Sequence, residues 1–233
     1  MGILDFIFPK YCISCRRQGE YICANCFSFI SFDVSMICIV CNRPTIDGLT
    51  HPKCQGKYII DGCFSALEYK GIVKKLIYNF KYKPYLSDLK NSLIELFYES
   101  IIQNEIFLRT IEQCNNEAIV LVPIPLHKDR LKRRGYNHAE ILASGSSEKL
   151  GLKFENMLKR IRETKSQYGL SLKERKENLR DAFSVVPNIS VSQYPNIFLV
   201  DDILTTGSTL LEAARILKKQ GAKKVWGLTL ARG

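Results

Sequence analysis

Two adjacent carboxylates, Asp201 and Asp202, directly follow the apolar run at 197–200, and the polar string Thr-Thr-Gly-Ser-Thr follows them at 205–209. Neighbouring carboxylates can accept hydrogen bonds from a vicinal diol. Small residues around Gly207 leave backbone N–H groups free to face a phosphate, which the N-terminus of a helix favours. The pattern predicts a ribose 5-phosphate site. Its predicted ligand-binding residues are Asp201, Asp202, Thr205, Thr206, Gly207, Ser208 and Thr209.

The segments around this string predict a βαβ unit. The run at 197–200 is typical of a buried strand, and residues 225–230 form a second such run. Between them lies a broad apolar stripe at helical spacing, made of Leu210, Leu211, Ala213, Ala214, Ile216 and Leu217. Ligands of such units bind beyond the carboxyl ends of parallel strands. The alternative is an ordinary acidic strand exit before a helix capped by Thr205, Ser208 or a neighbouring residue.

Eight of the nine cysteines lie at or before Cys63, and most are arranged in pairs separated by two residues. A Cys-x-x-Cys turn delivers two thiolates to one tetrahedral zinc ion, so three such pairs and one His-x-x-Cys pair predict two structural zinc sites. The predicted ligands are Cys12, Cys15, Cys23, Cys26, Cys38, Cys41, His51 and Cys54. Sequential pairing, interleaved pairing and a single zinc ion all remain open. Cys63 and Cys114 are expected to be core thiols.

Cysteine placement also divides the chain, with a zinc-binding module over 1–60 and an α/β domain over 61–233. No apolar run approaches the roughly 18 residues that a membrane span requires, and the first residues lack the charge and length of a secretory signal. We therefore expect a cytoplasmic protein without a membrane span. The net charge of +11 suggests a polyanionic partner, although many basic proteins simply bind phosphate metabolites.

The middle of the chain predicts packing elements. Residues 64–69 indicate a strand, 72–80 a short helix, 81–85 a turn, and 85–107 one long amphipathic helix. Tyrosine and lysine alternate between 69 and 85, which would suit stacking of nucleic-acid bases beside positive charge. An ordinary surface explains this alternation equally well, because lysine stems also cover apolar groups.

Two basic stretches follow. The first comes after an apolar run at 118–125 that predicts a buried parallel strand, and it contains Arg133 and Arg134 in a loop placed to contact pyrophosphate. A solvated helix face is the alternative. The second runs over 159–180 and could form a mobile lid over a diphosphate, with Arg162, Lys165 and Arg175 as its candidate contacts. A plain surface loop is the alternative there.

The order of these motifs resembles the ComF family. The quoted motifs are the cysteine pairs, Val-Pro-Ile-Pro-Leu-His at 122–127, Arg-Arg-Gly-Tyr-Asn-His-Ala at 133–139, Arg-x-Thr-x-x-Gln at 162–167, Val-Asp-Asp at 200–202, and Thr-Thr-Gly-Ser-Thr. The resemblance implies a zinc-ribbon-like front on a type I phosphoribosyltransferase domain. In this sequence His138 stands where glutamine is commoner in the family, and His51 where cysteine is commoner.

The resemblance also implies a function in natural transformation. The expected ligand is phosphoribosyl pyrophosphate or a related ribose phosphate, bound with Mg2+, and the expected macromolecular partner is incoming single-stranded DNA. Inner-membrane DNA-translocation proteins are further expected partners, which would place the protein in the cytoplasm or peripherally at the inner membrane. In the alternative function the domain is an active phosphoribosyltransferase with an unidentified acceptor, and Asp201, Asp202, Arg133 and Arg134 are its catalytic residues.

Overall fold

The computed structural model describes residues 9–82, 88–114, 119–164 and 172–233. A five-stranded parallel sheet forms its centre, and the order of its strands is β1-β7-β6-β2-β3. The strands are β1 Gly62–Glu68, β2 Ile119–Pro123, β3 Lys153–Phe154, β6 Asn196–Leu204 and β7 Lys224–Arg232. A separate antiparallel pair is formed by β4 Leu158–Arg160 and β5 Phe183–Val185. The predicted α/β fold class with a mainly parallel sheet is confirmed.

The central strands are covered on both faces, as expected for a parallel sheet. Ile197, Phe198, Leu199 and Val200 of β6 are all fully buried. Because β2 and β6 pair in parallel, with Pro123 beside Val200, their carboxyl ends meet at one edge of the sheet. The segments that follow these two strands therefore lie side by side.

Helices cover the sheet. They are α1 Ala24–Phe27, α2 Gly71–Tyr82, α3 Leu89–Ile102, α4 Glu105–Glu112, α5 Lys128–Arg134, α6 His138–Leu150, α7 Leu172–Leu179 and α8 Ser208–Lys219, with short 3-10 helices at Pro52–Cys54 and Val191–Gln193. The α8 helix has Leu210, Ala213, Ala214 and Leu217 buried, which confirms its predicted apolar stripe. Its N-cap is the neighbouring Gly207 and no side chain caps it, so neither Thr205 nor Ser208 caps this helix.

Three predictions about the middle of the chain are corrected. The long helix over 85–107 is two helices, because the Asn104 side chain accepts a hydrogen bond from Phe107 N (2.9 Å) and starts α4. The predicted turn over 81–85 is wrong for Lys81 and Tyr82, which end α2, while 83–85 lie outside the described residues. The first basic stretch is not a loop, since 128–134 form α5, which ends at the left-handed Gly135 (φ +82°).

The cysteine-rich front packs against both faces of the sheet. Cys12, Cys23, Cys26 and Ile30 belong to one apolar core together with Leu76 of α2 and Phe97 of α3. Ile37 and Ile39 belong to the core on the other face, together with Leu204 and Leu210. The front segment thus shares its apolar contacts with the sheet domain. Within the described ranges, no helix has the length and apolar character that crossing a bilayer requires.

Candidate functional site

The acid pair lies at the carboxyl end of β6, as the βαβ interpretation predicts. Asp202 is buried, and Asp201 is partly buried and accepts a hydrogen bond from Asp202 N through its Oδ1 (2.8 Å). Lys81 Nζ, at the end of α2, lies 2.7 Å from Asp202 Oδ2. A helix from outside the βαβ unit therefore supplies a cation to the acid pair.

A cavity of about 220 Å³ opens beside this pair. Its walls come from the exits of β2 and β6, the adjoining helices and β4. The charged residues that line it are Lys81, Arg130, Arg134, Arg160, Asp201 and Asp202, and its other lining residues include Asn137, His138, Thr205 and Thr209. Four cations beside two carboxylates suit a ligand with both anionic groups and hydroxyls, because guanidinium groups bind phosphates and carboxylates accept hydrogen bonds from hydroxyls.

Two buried nitrogen atoms in this wall have no hydrogen-bond partner among the described residues. They are His138 Nε2 and Arg160 Nε. The Arg160 Nη2 atom donates to Thr164 Oγ1, and Arg130 Nη2 donates to the Thr164 carbonyl oxygen (2.7 Å), so both guanidinium groups are held by one residue. Unpartnered buried polar atoms are uncommon in proteins. Their position in this cavity wall favours a polar ligand.

Burial shifts the pKa values of several groups that line the cavity, among them Arg130, whose pKa it lowers. Burial, together with the nearby charge of Asp202, raises the pKa of Asp201 to about 7. Burial lowers the pKa of His138 to about 4, against the opposing effect of Asp202. Burial also lowers the pKa of Arg160 to about 10. At neutral pH the site therefore contains a neutral imidazole and a carboxyl group close to its midpoint of titration.

The segment 205–209, which we call the phosphate loop after its predicted ligand, runs from the end of β6 into the first turn of α8. Thr205 and Thr209 line the cavity, and the hydroxyls of Thr206 and Ser208 lie 3.0 Å apart. Gly207 has a left-handed backbone (φ +69°). A Cβ atom at this position would lie 2.4 Å from Ile39 Cγ1, so glycine is required both by conformation and by close packing.

Some predicted contacts lie away from this cavity. Arg133 is exposed, and its Nε donates to the Asp129 carbonyl oxygen (3.3 Å), whereas Arg134 lines the cavity. Arg162 Nη2 donates to backbone oxygens of Asn178 and Arg180 at the end of α7. Lys165 and the Arg175 side chain lie outside the described residues, so the predicted lid has no structural outcome.

Sequence reasoning missed two cavity residues, Lys81 and Arg160. Lys81 was assigned to a turn, and no local pattern connects α2 with the carboxyl end of β6. Arg160 was assigned to a lid, whereas it ends β4. The sequence carries no alternating strand signal there, because two charged residues, Lys159 and Arg160, follow Leu158.

The cysteine pairs form two compact groups, each with its donor atoms within 4.8 Å of one another. The first contains Cys12, Cys15, Cys23 and Cys26, and the second Cys38, Cys41, His51 and Cys54. The structure therefore groups the pairs sequentially, and it does not interleave them. Two donor distances illustrate the fit to a tetrahedral ion: Cys15 Sγ lies 3.5 Å from Cys23 Sγ, and Cys41 Sγ lies 3.3 Å from His51 Nδ1.

The first pair of each group forms the same turn, which we call a knuckle. Arg16 N donates to Cys12 O (2.9 Å) in one, and Asn42 N donates to Cys38 O (2.8 Å) in the other. Arg16 and Asn42 both have a left-handed backbone. Burial alone would raise the pKa of Cys12, but backbone N–H donors, among them those of Cys15 and Cys23, outweigh it and lower that pKa to about 6. The pKa of Cys38 is also lowered, because backbone N–H donors again outweigh the effect of burial.

The imidazole of the second group is oriented by the backbone. His51 Nε2 lies 3.1 Å from the Pro44 carbonyl oxygen and can only donate to it, so in this orientation Nδ1 is left as the acceptor atom that faces the thiols. A hydrogen bond from the other ring nitrogen is the usual support of a zinc-bound histidine. Cys63 and Cys114 lie apart from both groups as buried thiols, as expected.

An aromatic and basic surface adjoins the cavity. The rings of Tyr78 and Tyr82 on α2 are 57% and 55% exposed and have centroids 4.9 Å apart. The Arg134 guanidinium lies over the Tyr82 ring at 5.4 Å. Exposed aromatic rings beside cations can stack nucleic-acid bases.

Comparison with known families agrees with this geometry. A model of the double zinc ribbon domain matches residues 3–55, and a model of the phosphoribosyl transferase domain matches residues 102–233. The latter covers more than half of the chain. Fold and site together thus define a phosphoribosyl transferase domain that carries a zinc ribbon module at its front. The two cysteine groups are structural zinc sites of the zinc ribbon type.

Individual relatives show which members of this class of protein the chain is similar to. Competence protein F of Haemophilus influenzae is 42% identical over 114 residues, which is 48% of this chain and 50% of that protein. DNA utilization protein YhgH of Escherichia coli K12 is 30% identical over 205 residues, covering 82% of this chain and 89% of the relative. Competence protein ComFC of Bacillus subtilis is 27% identical over 231 residues, covering 93% and 86%.

The chain belongs to the ComF family. This confirms the resemblance that the order of motifs indicated. The alignments with the Haemophilus protein and the Salmonella typhi YhgH relative span only about half of their lengths, 50% and 48%.

Proposed function

We propose that the protein binds phosphoribosyl pyrophosphate or a related ribose phosphate and handles incoming single-stranded DNA during natural transformation. The observation that carries the first part is the acid pair at the end of β6, inside a cavity lined by four cations. In this proposal Asp201 and Asp202 accept hydrogen bonds from the ribose hydroxyls. The phosphate loop binds the 5-phosphate through backbone N–H groups at the start of α8.

The remaining cations suit the pyrophosphate group. Arg130, Arg134 and Arg160 line the same cavity, and two of them are fixed by Thr164. Mg2+ fits this donor set because it prefers carboxylate and phosphate oxygens, and Asp201 and Asp202 would be the residues nearest to it. When bound, it would neutralise charge on the diphosphate. Lys81 would share this task, since it already compensates Asp202.

We propose a purely structural role for zinc, with Cys12, Cys15, Cys23 and Cys26 holding one ion and Cys38, Cys41, His51 and Cys54 the other. In each group four donors fill a tetrahedral site and leave no open position for substrate. A module of residues 1–60 has too small an apolar core to fold alone, so metal binding would supply much of its stability.

The DNA-handling part is supported by the exposed Tyr78 and Tyr82 rings, by Arg134 beside them and by the net charge of +11. The names of the relatives, competence protein and DNA utilization protein, favour the same function. Under this proposal the protein acts in the cytoplasm, where DNA-translocation proteins of the inner membrane would deliver the strand.

Calorimetry tests the proposal directly. The zinc-loaded protein is titrated with phosphoribosyl pyrophosphate and Mg2+, and then with an oligonucleotide at several salt concentrations. We expect Asp201→Asn combined with Asp202→Asn to abolish ribose-phosphate binding and to leave DNA affinity unchanged. DNA affinity should fall steeply with salt, because phosphate contacts release counterions. Absence of heat with phosphoribosyl pyrophosphate would refute the first part, and salt-insensitive or absent DNA binding the second.

An active phosphoribosyltransferase is the second candidate. The observation that favours it is the carboxyl of Asp201, whose pKa of about 7 suits a group that accepts a proton from an attacking acceptor. Release of pyrophosphate in the presence of one member of a panel of bases and amines, with loss of release in Asp201→Asn, would support transfer. Tight binding of phosphoribosyl pyrophosphate, with no pyrophosphate released in the presence of any acceptor in the panel, would leave binding as the function.

A further inference from the structure

The second knuckle touches the phosphate loop. Ile39 lies between Cys38 and Cys41 and is 1% exposed. At Gly207 a Cβ atom would meet Ile39 Cγ1 at 2.4 Å, Ile39 Cδ1 at 2.9 Å and the Ile39 carbonyl oxygen at 3.3 Å. The Ile39 side chain therefore lies directly against the bend of the loop, with no space between them.

Ile39 is itself held in place from two directions. The knuckle fixes its backbone, because Asn42 N donates to Cys38 O and Cys38 N donates to Arg43 O (2.9 Å). Its side chain lies in the apolar core that also contains Leu204, at the end of β6, and Leu210, in the first turn of α8. Through Ile39, the candidate zinc ligand pair Cys38 and Cys41 thus shares one apolar core with the residues at both ends of the phosphate loop.

We propose that Ile39 is a positioning residue that fixes the phosphate loop, so that the second cysteine group supports ligand binding and the first does not. The inference rests on the proposed function. A loop that binds phosphate through backbone N–H groups needs those groups aimed at one point, and errors of about 1 Å are costly in such sites. Ile39 prevents the left-handed bend at Gly207 from shifting toward the zinc module.

The chain contains a matched control. Ile13 follows Cys12 as Ile39 follows Cys38, so the two isoleucines occupy the same place in the two knuckles. Ile13 is partly buried against the core on the opposite face of the sheet, away from the loop. Ile39→Ala and Ile13→Ala remove the same atoms from equivalent positions.

We expect Ile39→Ala to weaken phosphoribosyl pyrophosphate binding by about tenfold in calorimetry, a change of about 1.4 kcal/mol, and Ile13→Ala to leave it unchanged. Ile39→Val removes a single methyl group and should fold even if Ile39→Ala does not. We expect its affinity for phosphoribosyl pyrophosphate to lie between those of wild type and Ile39→Ala. Zinc content and melting temperature are measured for each variant. Equal ligand affinity in wild type, Ile39→Ala and Ile39→Val would overturn the inference.

A readout without ligand separates this inference from the proposed function. The Leu211 N–H donates to Gly207 O (2.9 Å) at the base of the loop. Its hydrogen exchange should accelerate in Ile39→Ala and not in Ile13→Ala, whichever ligand the cavity binds. Absence of phosphoribosyl pyrophosphate binding by the wild type, together with this acceleration in Ile39→Ala, would contradict the proposed function and retain the positioning role. Unchanged exchange would contradict the positioning role alone.

A second surface lies beside the first cysteine group. A groove of about 490 Å³ separates the front segment from α3, and we call it the acidic groove. Tyr21, Phe27 and Phe32 line it, and the last two are 45% and 39% exposed. Glu20, Glu95 and Glu99 also line it, whereas no lysine or arginine is found among the described residues of its lining.

Glu95 is paired with Lys149 (2.7 Å), so Glu20 and Glu99 supply most of the negative charge of the groove, on a chain with 34 basic and 23 acidic residues. The protein carries a net positive charge, which repels cationic partners from most of its surface. Complementarity of charge therefore favours their approach at the acidic groove. Exposed aromatic side chains in a concave surface are typical anchoring points of protein interfaces. The geometry points to a basic amphipathic helix of a partner protein as the occupant.

A labelled, amidated 18-residue peptide of leucine and lysine, with leucine on one helical face, probes the acidic groove by fluorescence polarisation. We expect Glu99→Lys and Phe32→Ala each to weaken binding by about fivefold or more, while Glu112→Lys, an equal charge change at an exposed site outside the groove, has little effect. A peptide of the same composition in scrambled order should bind more weakly. Equal effects of Glu99→Lys and Glu112→Lys, or no binding at all, would overturn this assignment.

Discussion

The two cysteine groups use the same local design in different surroundings. Each begins with a knuckle closed by a left-handed residue, and each completes its donor set with a helical turn, at Cys23–Cys26 in one and His51–Cys54 in the other. The first group packs against helices α2 and α3, whereas the second packs against the phosphate loop. If Ile39 positions the phosphate loop as proposed, one knuckle design serves stability alone or stability and ligand positioning, depending on what the isoleucine after its first cysteine packs against.

The largest effect is expected from loss of a metal ligand. Cys12→Ser and Cys38→Ser replace equivalent, fully buried thiols, and each should release one zinc ion and unfold much of the front segment, because structural zinc binding contributes on the order of 10 kcal/mol. Zinc stoichiometry and limited proteolysis measure this loss. If the comparison holds, Cys38→Ser should also remove ribose-phosphate binding, and equal loss of affinity in both variants would contradict it.

A smaller effect is expected from Gly207→Ala, which tests the contact from the side of the loop. The added Cβ meets Ile39 at 2.4 Å and the backbone is left-handed, so we expect a loss of about 2–4 kcal/mol in the free energy of unfolding. Gly151→Ala is the control, since Gly151 is also left-handed (φ +65°) but a Cβ there would have no atom within 4 Å. Similar melting temperatures for the two variants would show that the packing against Ile39 matters little.

The acid pair differs from the cysteine groups, because the burial of its predicted ligand-binding carboxylates opposes folding. Because the pKa of Asp201 is raised to about 7 in the folded protein, its contribution to stability is complete below its ordinary value near 3.8 and is lost as the pH rises through 7. Asp201→Asn should therefore melt like wild type at pH 4 and be more stable than wild type at pH 8. Melting curves across this range measure the difference, and a variant less stable at pH 8 would contradict it.

The smallest effect concerns the aromatic surface. Tyr82→Ala should weaken single-stranded DNA binding by about 1–2 kcal/mol, since stacking of one base contributes about that much. Binding of phosphoribosyl pyrophosphate should change little, because the Tyr82 ring does not line the cavity. Tyr82→Phe, which keeps the ring, is the control in the same titrations. A loss in Tyr82→Phe as large as in Tyr82→Ala would exclude stacking.

Sequence reasoning placed correctly in the fold those features whose signal is local. The acid pair, the phosphate loop and the cysteine pairs are each contained in a few consecutive residues, and their spacing reflects one turn of backbone. It also predicted β6, α8 and β7, because a buried parallel strand and an amphipathic helix have clear periodicity. The break between α3 and α4 was missed, although Asn104 is a residue type that commonly caps helices.

The rest depends on packing between distant segments, which no local pattern encodes. Lys81 reaches Asp202 only because α2 packs beside the carboxyl ends of the strands. Arg160 lines the cavity because it ends a strand whose partner, β5, comes more than 20 residues later. The pairing of the cysteine groups was open for the same reason, since four equivalent pairs can combine in several ways.

The packing of the front segment on both faces of the sheet has a consequence for how such chains can be recombined. Grafting the α/β domain onto a different N-terminal module, or moving the front segment to another protein, would separate Ile39 from Gly207. It would also separate Cys12 from the core that contains Leu76. Each half would then present an uncovered apolar face to water. The two parts are therefore best inherited and exchanged as a single unit, although their sequences read as separate domains.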